Sequence, residues 1–218
     1  MRIAVTVLGL SLLSGCAFTN MTINPPASSV STQLSGGDKR EIVMSIPFAD
    51  ERQIRARCGM KKNSYNMDTA SVYCSSEPAV WLAQLLAQEL KAAGFTVKAG
   101  GVTDKPNGVK VEGFLLKFFI EPVIGFTTIS PETDIHIKLI ATSANGLNAE
   151  HSFFFKGKNS ALTGMDSNFQ PSVDDATRKI INDMVSAILT LMNRYPELGR
   201  SSSIDPLVRV ALIVKEKS

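Results

Sequence analysis

The chain has 218 residues, 44% of them hydrophobic and 20% charged, a length that holds one ordinary domain with a small appendage and excludes two large ones. That composition is close to the globular average, so a core can form and intrinsic disorder is excluded. With 23 basic against 20 acidic residues, a net charge of +3, the chain lacks the strong positive field that nucleic-acid binding needs, which argues against a nucleic-acid partner.

The first element is an address. Arg2 is followed by an apolar run over residues 3–13, too short to cross about 30 Å of hydrocarbon as a permanent helix, so residues 1–15 read as a signal peptide. The run ends in Leu13-Ser14-Gly15-Cys16, which resembles the bacterial lipobox. In that motif small residues admit the backbone to a processing enzyme, and the cysteine thiolate is the nucleophile that takes the lipid. Cys16 is therefore the expected lipidation site, and acyl chains at about 0.8 kcal/mol per buried methylene tie the protein to a membrane. Ala17, by the usual sorting pattern, favours the outer membrane, with the body facing the periplasm. Residues 16–40 are mostly small or polar, with Asn24-Pro25-Pro26 and Ser35-Gly36-Gly37, and read as a flexible tether with a mean span of about 25 Å.

A single domain is expected over residues 41–214. Residues 41–48 alternate well enough for a first strand, ended by Pro47. Residues 52–76 are polar, with turn formers Gly59, Asn63 and Asn66, and read as a long loop or loose hairpin. Cys58 and Cys74 are the remaining cysteines, an even pair in an exported chain, which predicts a Cys58–Cys74 disulfide; the alternative is two free buried thiols. No further ligands stand nearby at zinc spacing, so no metal is expected.

A helix follows. Ser76 is a candidate cap, Glu77 suits the positive end of the dipole, Pro78 fits the first turn, and Trp81, Leu82, Leu85, Leu86, Leu90 and Ala93 mark one face before Gly94 stops it. Residues 95–98 predict a short strand, and residues 109–120 and 133–143 two longer ones. The hairpin from Thr133 to Lys156 permits a test of register. Both arms carry apolar residues at odd positions, so a two-residue turn would place the two sets on opposite faces of the sheet. A three-residue loop, Ala144-Asn145-Gly146 with Gly146 left-handed, pairs Ile135 with Phe155 and Ile137 with Phe153, and both sets face one core. The same parity puts His136 on the polar face and His151, opposite Leu139, on the core face, where a hydrogen-bonded core histidine is the simplest reading. A second helix is predicted from Ser172, with Asp174 and Asp175 in its first turn and a stripe of Val173, Ala176, Ile180, Met184, Ala187, Ile188 and Leu191. Residues 207–214 read as a last strand, which completes a sheet edge here or in another copy of the chain. The expected fold is α+β, a mainly antiparallel sheet with two helices packed on one face.

Motifs for chemistry are sparse. There is no Gly-rich nucleotide loop, no nucleophile elbow and no zinc-protease motif, and the two histidines face apart. Acidic neighbours at Asp50 and Glu51, and at Asp174 and Asp175, diverge in direction, and no cofactor is expected. One cluster stands out in the predicted disulfide loop: Arg52, Arg55, Arg57, Lys61 and Lys62, with Asn63 and Tyr65 following. Folded back by the bridge, the five charges converge on one surface suited to anionic lipid, glycan phosphate or an acidic protein partner. The bland reading is a solvated polar loop.

Residues 48–52 (FADER), residues 59–65 (GMKKNSY), Trp81-Leu82 through Glu89-Leu90 with Ala93-Gly94-Phe95, and Ser143-Ala144-Asn145-Gly146 with the second helix resemble the YajG-like uncharacterised bacterial lipoproteins, over roughly residues 42–195. The cysteine pair and the last strand depart from that pattern. The resemblance implies an envelope lipoprotein and brings no established activity with it. A more distant architectural likeness is to auxiliary lipoproteins of envelope transport systems. These readings together lead to a non-enzymatic, lipid-anchored accessory or assembly module that binds a protein, lipid or glycan of the envelope. The alternatives are a subunit of a larger transport or surface complex and, from another class, a carboxylate-based hydrolase.

Overall fold

The computed structural model describes residues 18–26, 33–100, 107–160 and 165–200. The signal segment, Cys16 and the expected strand at residues 207–214 lie outside the described residues.

The frame is β7, Val109–Ile124, whose alternating apolar residues give it one buried and one partly solvated face. On one side it pairs antiparallel with β8, Ile129–Ser143, which pairs in turn with β9, Asn148–Lys158. The other side of β7 is edged by three short strands that run parallel to it in chain order. They are β2, Glu41–Met44, beside Val109–Val111; β3, Ala49–Asp50, beside Phe114 and Leu115; and β4, starting at Gly59 opposite Ile120. Residues 41–62 thus track one long strand with two interruptions, the first holding a cis Ile46–Pro47 peptide. The Phe48 ring covers Gly113 on β7, at a place where a β-carbon would clash with it. The first strand therefore ends at Met44 rather than running on to residue 48.

The stretch expected as a loop or loose hairpin contains a hairpin of β4, Gly59–Lys62, and β5, Asp68–Cys74. Beyond β5 lies β1, Met21–Ile23, pairing parallel with Val72–Cys74. This corrects the reading of residues 16–40 as a flexible tether: Met21–Ile23 closes a sheet edge and Ile23 is buried. Three residues, Met21, Thr22 and Ile23, are too few to show a periodicity, and the bonds that hold them are supplied by β5. On the far side β6, Thr96–Ala99, pairs parallel with β2. The sheet is open and mixed, antiparallel for its longest pairings.

Two helices cover one face. Helix α1, Pro78–Ala92, begins on Pro78 as expected, though its capping residue is Glu77 and no side chain bonds the free N–H groups. Trp81, Leu82, Leu85, Leu86 and Leu90 are buried; Trp81 meets Phe118 of β7 edge to face at 5.5 Å. Gly94 takes φ +97 and ends the helix. Helix α2, Phe169–Arg194, starts three residues before the predicted Ser172, because Pro171 fits its first turn and a 3-10 turn, Asp166–Asn168, leads into it. Asp174 and Asp175 consequently sit in its second turn. The predicted stripe is buried or half-buried, joined by Ile181, Val185, Leu189 and Met192.

The three-residue loop and its register are as the parity argument requires. Ile135 pairs with Phe155, Ile137 with Phe153 and Leu139 with His151; the Ser143 N–H bonds the Leu147 carbonyl, and Gly146 has φ +84.

Candidate functional site

The Cys58–Cys74 disulfide is present, tying the end of the loop after β3 to the end of β5 across a Cα separation of 5.7 Å. It does not gather the five basic side chains. Arg52 is buried and forms a two-pronged bond to Asp50, Nε to Oδ1 at 2.9 Å and Nη2 to Oδ2 at 2.8 Å. Lys61 and Lys62 are consecutive on a strand, so they point to opposite faces of the sheet. Lys61 is 2% exposed and meets Asp166 on the helix side, whereas Lys62 pairs with Glu121 at 2.9 Å on the open side. Convergence on one surface is thus corrected by strand alternation and by local carboxylates. Arg55 and Arg57 remain near the bridge, lining a shallow cleft of about 290 Å³ with Tyr73, Ser75, Ser76 and Glu77. Asn63 shapes the β4–β5 turn, where its Oδ1 accepts from the Tyr65 and Met67 N–H groups and leaves Tyr65 82% exposed at the tip.

A larger concavity, about 520 Å³, opens between the C-terminal half of α2 and the loop end of β8 and β9. Its origin is the size of side chains along the helix–sheet contact. At Gly157 the helix backbone lies against the strand, because a β-carbon there would come within 2.1 Å of the Ser172 carbonyl oxygen. Towards the other end Ala141, Ala149 and Ala187 face each other, and three methyl groups do not fill the gap that opens. Leu139, Phe153, Ile188 and Leu191 complete an apolar floor; Glu150, His151, Asp183 and Arg194 supply charged or polar groups at the rim.

His151 is therefore not a buried core histidine. It lies on the helix side, as parity requires, but at an exposed position where the helix no longer covers the strand, with its ring 4.5 Å from that of Phe153. His136 lies on the opposite face, edge to face with Phe154 at 6.0 Å. The cleft was missed in the sequence because alanines read as ordinary core residues; only their clustering across two strands and a helix makes a hollow.

The titratable groups with displaced values have structural partners. The Arg52 guanidinium hydrogen-bonded to Asp50 holds that carboxyl below its ordinary range, against partial burial that acts the other way. For Asp175 partial burial pushes upward, but hydrogen bonds from Lys179 and the Lys158 N–H, with the charges of Lys179 and Arg178, bring it down. On the open face a ladder joins Lys156 to Glu132 at 3.0 Å and Lys117 to Asp134 at 2.6 Å, and the Glu132 carboxylate holds the Lys156 ammonium above its usual value. Among the described residues no three His, Cys, Asp or Glu side chains gather for a metal ion, and no helix is long and apolar enough to cross a membrane.

A family model described as an uncharacterized lipoprotein matches residues 19–188. Among solved structures, a protein of Xanthomonas campestris superposes with a TM-score of 0.53 at 10% identity, over 81% of this chain and 98% of that one, a likeness of fold alone. A minor lipoprotein of Acinetobacter baumannii superposes with a TM-score of 0.38 at 11% identity, over 72% of this chain and 93% of that one. No curated protein matches the chain.

Proposed function

The chain belongs to the uncharacterized-lipoprotein family whose model it matches, and on that premise we propose that it is a non-enzymatic binding module of the bacterial envelope, anchored through lipid on Cys16 to the outer membrane and facing the periplasm. The observation that carries the binding role is the cleft beneath α2: an apolar floor of Val111, Leu139, Ala141, Phe153, Ile188 and Leu191 with polar groups only at its rim. Such a lining suits an apolar group of an envelope protein or lipid better than a glycan, whose hydroxyls would lose hydrogen bonds to water on that floor. The carboxylate-hydrolase alternative draws no support from the acids that would serve it. Asp50 is occupied by Arg52 and displaced downward, Asp174 accepts from Gln170, and Asp175 is held by Arg178 and Lys179.

Two experiments test this reading. For the anchor, Cys16→Ser is expected to shift the protein from the detergent phase to the aqueous phase on phase separation; equal partition of variant and parent refutes it. For the cleft, a photo-crosslinking residue at Ser186, exposed at the cleft, is expected to capture a defined envelope species in cells. The same residue at Lys91 on the outside of α1 should not. Identical capture at the two positions refutes binding through the cleft.

A further inference from the structure

We propose that the end of the sheet built from the β4–β5 and β7–β8 turns rests in the surface of the bilayer that holds the lipid; the proposal relies on the anchor at Cys16. Its first support is where the described chain ends. Strand β1 runs parallel to β5 with Met21 opposite Val72, so the residues before Met21 run back toward the start of β5, at the β4–β5 turn. The Ser71 N–H donates to the Asn20 side chain at 2.9 Å and holds that course. Phe18 follows, 63% exposed, and a single residue separates it from Cys16. Two Cα steps span at most about 8 Å. A lipid on Cys16 thus enters its membrane next to this end of the domain.

The second support is what this end displays. β4 runs parallel to β7 with Gly59 opposite Ile120, and the Lys62–Glu121 bridge ties the strands again three residues beyond Gly59 and one beyond Ile120. The β4–β5 turn and the turn after Ile124 therefore project side by side. Tyr65 lines one open hollow with Val123 and Ile124; Met67 is 56% exposed and Phe126 fully so. Both turns are tight: Asn63 caps the first, and the Gly125 N–H bonds the Thr128 carbonyl at 2.8 Å across the second. Aromatic and thioether side chains presented on tied turns, with a polar rim, match the amphipathic depth of a headgroup layer. The nearby charges are Lys62 paired with Glu121, Lys158 with Glu132, and Asp68, which leaves no net positive field. Contact is therefore by insertion and independent of anionic lipid. From this end β8 runs twelve residues to Ala141, about 40 Å at a strand's rise per residue, so the α2 cleft lies at the opposite end of the sheet from this contact.

The test uses the full lipidated protein in vesicles of phosphatidylcholine, with and without phosphatidylglycerol, carrying brominated acyl chains. Phe126→Trp places an indole at the proposed contact, and Tyr195→Trp places one beyond the end of α2. Trp81, buried in both, provides the common background. The indole at position 126 is expected to be quenched at least threefold more than that at 195, equally in the two vesicle types. If the protein floats with the vesicles yet the two positions are quenched alike, the contact is refuted and the anchor stands. Quenching confined to anionic vesicles refutes insertion as its cause. A chain that does not float refutes the anchor and, with it, the contact.

Discussion

Gly157 is the point at which α2 touches the sheet, and Gly157→Ala measures how closely that contact is drawn. The new β-carbon would lie 2.1 Å from the Ser172 carbonyl oxygen, 2.5 Å from the Ala176 nitrogen and 2.7 Å from its Cβ, where ordinary contact begins at 3.4 Å. The backbone atoms of a packed helix cannot rotate aside, so α2 must retreat by about 1 Å, at an overpacking cost of about 1–3 kcal/mol. Gly157 is also the cross-strand partner of Thr133, whose hydroxyl bonds Ser172 at 2.7 Å with both residues fully buried. Retreat stretches that bond out of range, adding about 1–3 kcal/mol for hydroxyls left without a full set of partners. Gly157 is not at a positive φ, so in open space alanine there would stabilise by about 0.4–1 kcal/mol. The net expectation is a loss of about 3 kcal/mol, a fall in Tm of roughly 6–12 °C for a domain of this size. Urea unfolding with the disulfide intact, followed by Trp81 fluorescence, reads it. Gly146→Ala is the control: nothing stands within 4 Å of its β-carbon, and only φ +84 opposes it, at about 1 kcal/mol. A loss at Gly157 no larger than at Gly146 would refute the close-contact account.

Three further outcomes follow from the geometry. Removing the bridge with Cys58→Ala and Cys74→Ala together frees a loop closed over a sequence separation of 16, an expected loss of about 3 kcal/mol by the chain-entropy model; an unchanged urea midpoint would contradict it. Asp50 has its folded pKa lowered, chiefly by the Arg52 hydrogen bond, so its contribution to stability is complete above its unfolded value of about 4 and is lost as pH falls through the folded one. The stability gap between parent and Asp50→Asn should accordingly be wide at pH 7 and shrink at pH 2, and a gap independent of pH would count against the pair. Ala187→Leu, pointing into the cleft, should abolish crosslinking at Ser186 while changing the unfolding free energy by under about 1 kcal/mol, since it enters open space rather than packed core; a large destabilisation would mean the hollow is not free.

The amino-acid sequence by itself determined the features that depend on neighbours within a short stretch. Apolar spacing and a stop at Gly94 set the helices. The odd-position parity of residues 135–155 admitted one register and thereby one turn, because the faces of a strand alternate wherever no bulge intervenes, and none does in this pairing. The cysteine pair predicted its own bridge. What only the tertiary structure decided is what depends on groups distant along the chain. Lys61 and Lys62 part company because β4 is a strand of a sheet with two unlike sides, and Asp166, more than a hundred residues on, waits on one of them. Arg52 is paired by Asp50 only two residues earlier, but that its side chain is buried is decided by the folded surroundings. Met21–Ile23 is a strand because β5 offers a free edge, and the cleft exists because three alanines from two strands and a helix meet where α2 parts from the sheet. Short-range pattern records propensity and face; it does not record which carboxylate, edge or void a face will meet, since those are fixed by contacts whose partners are set by the whole fold.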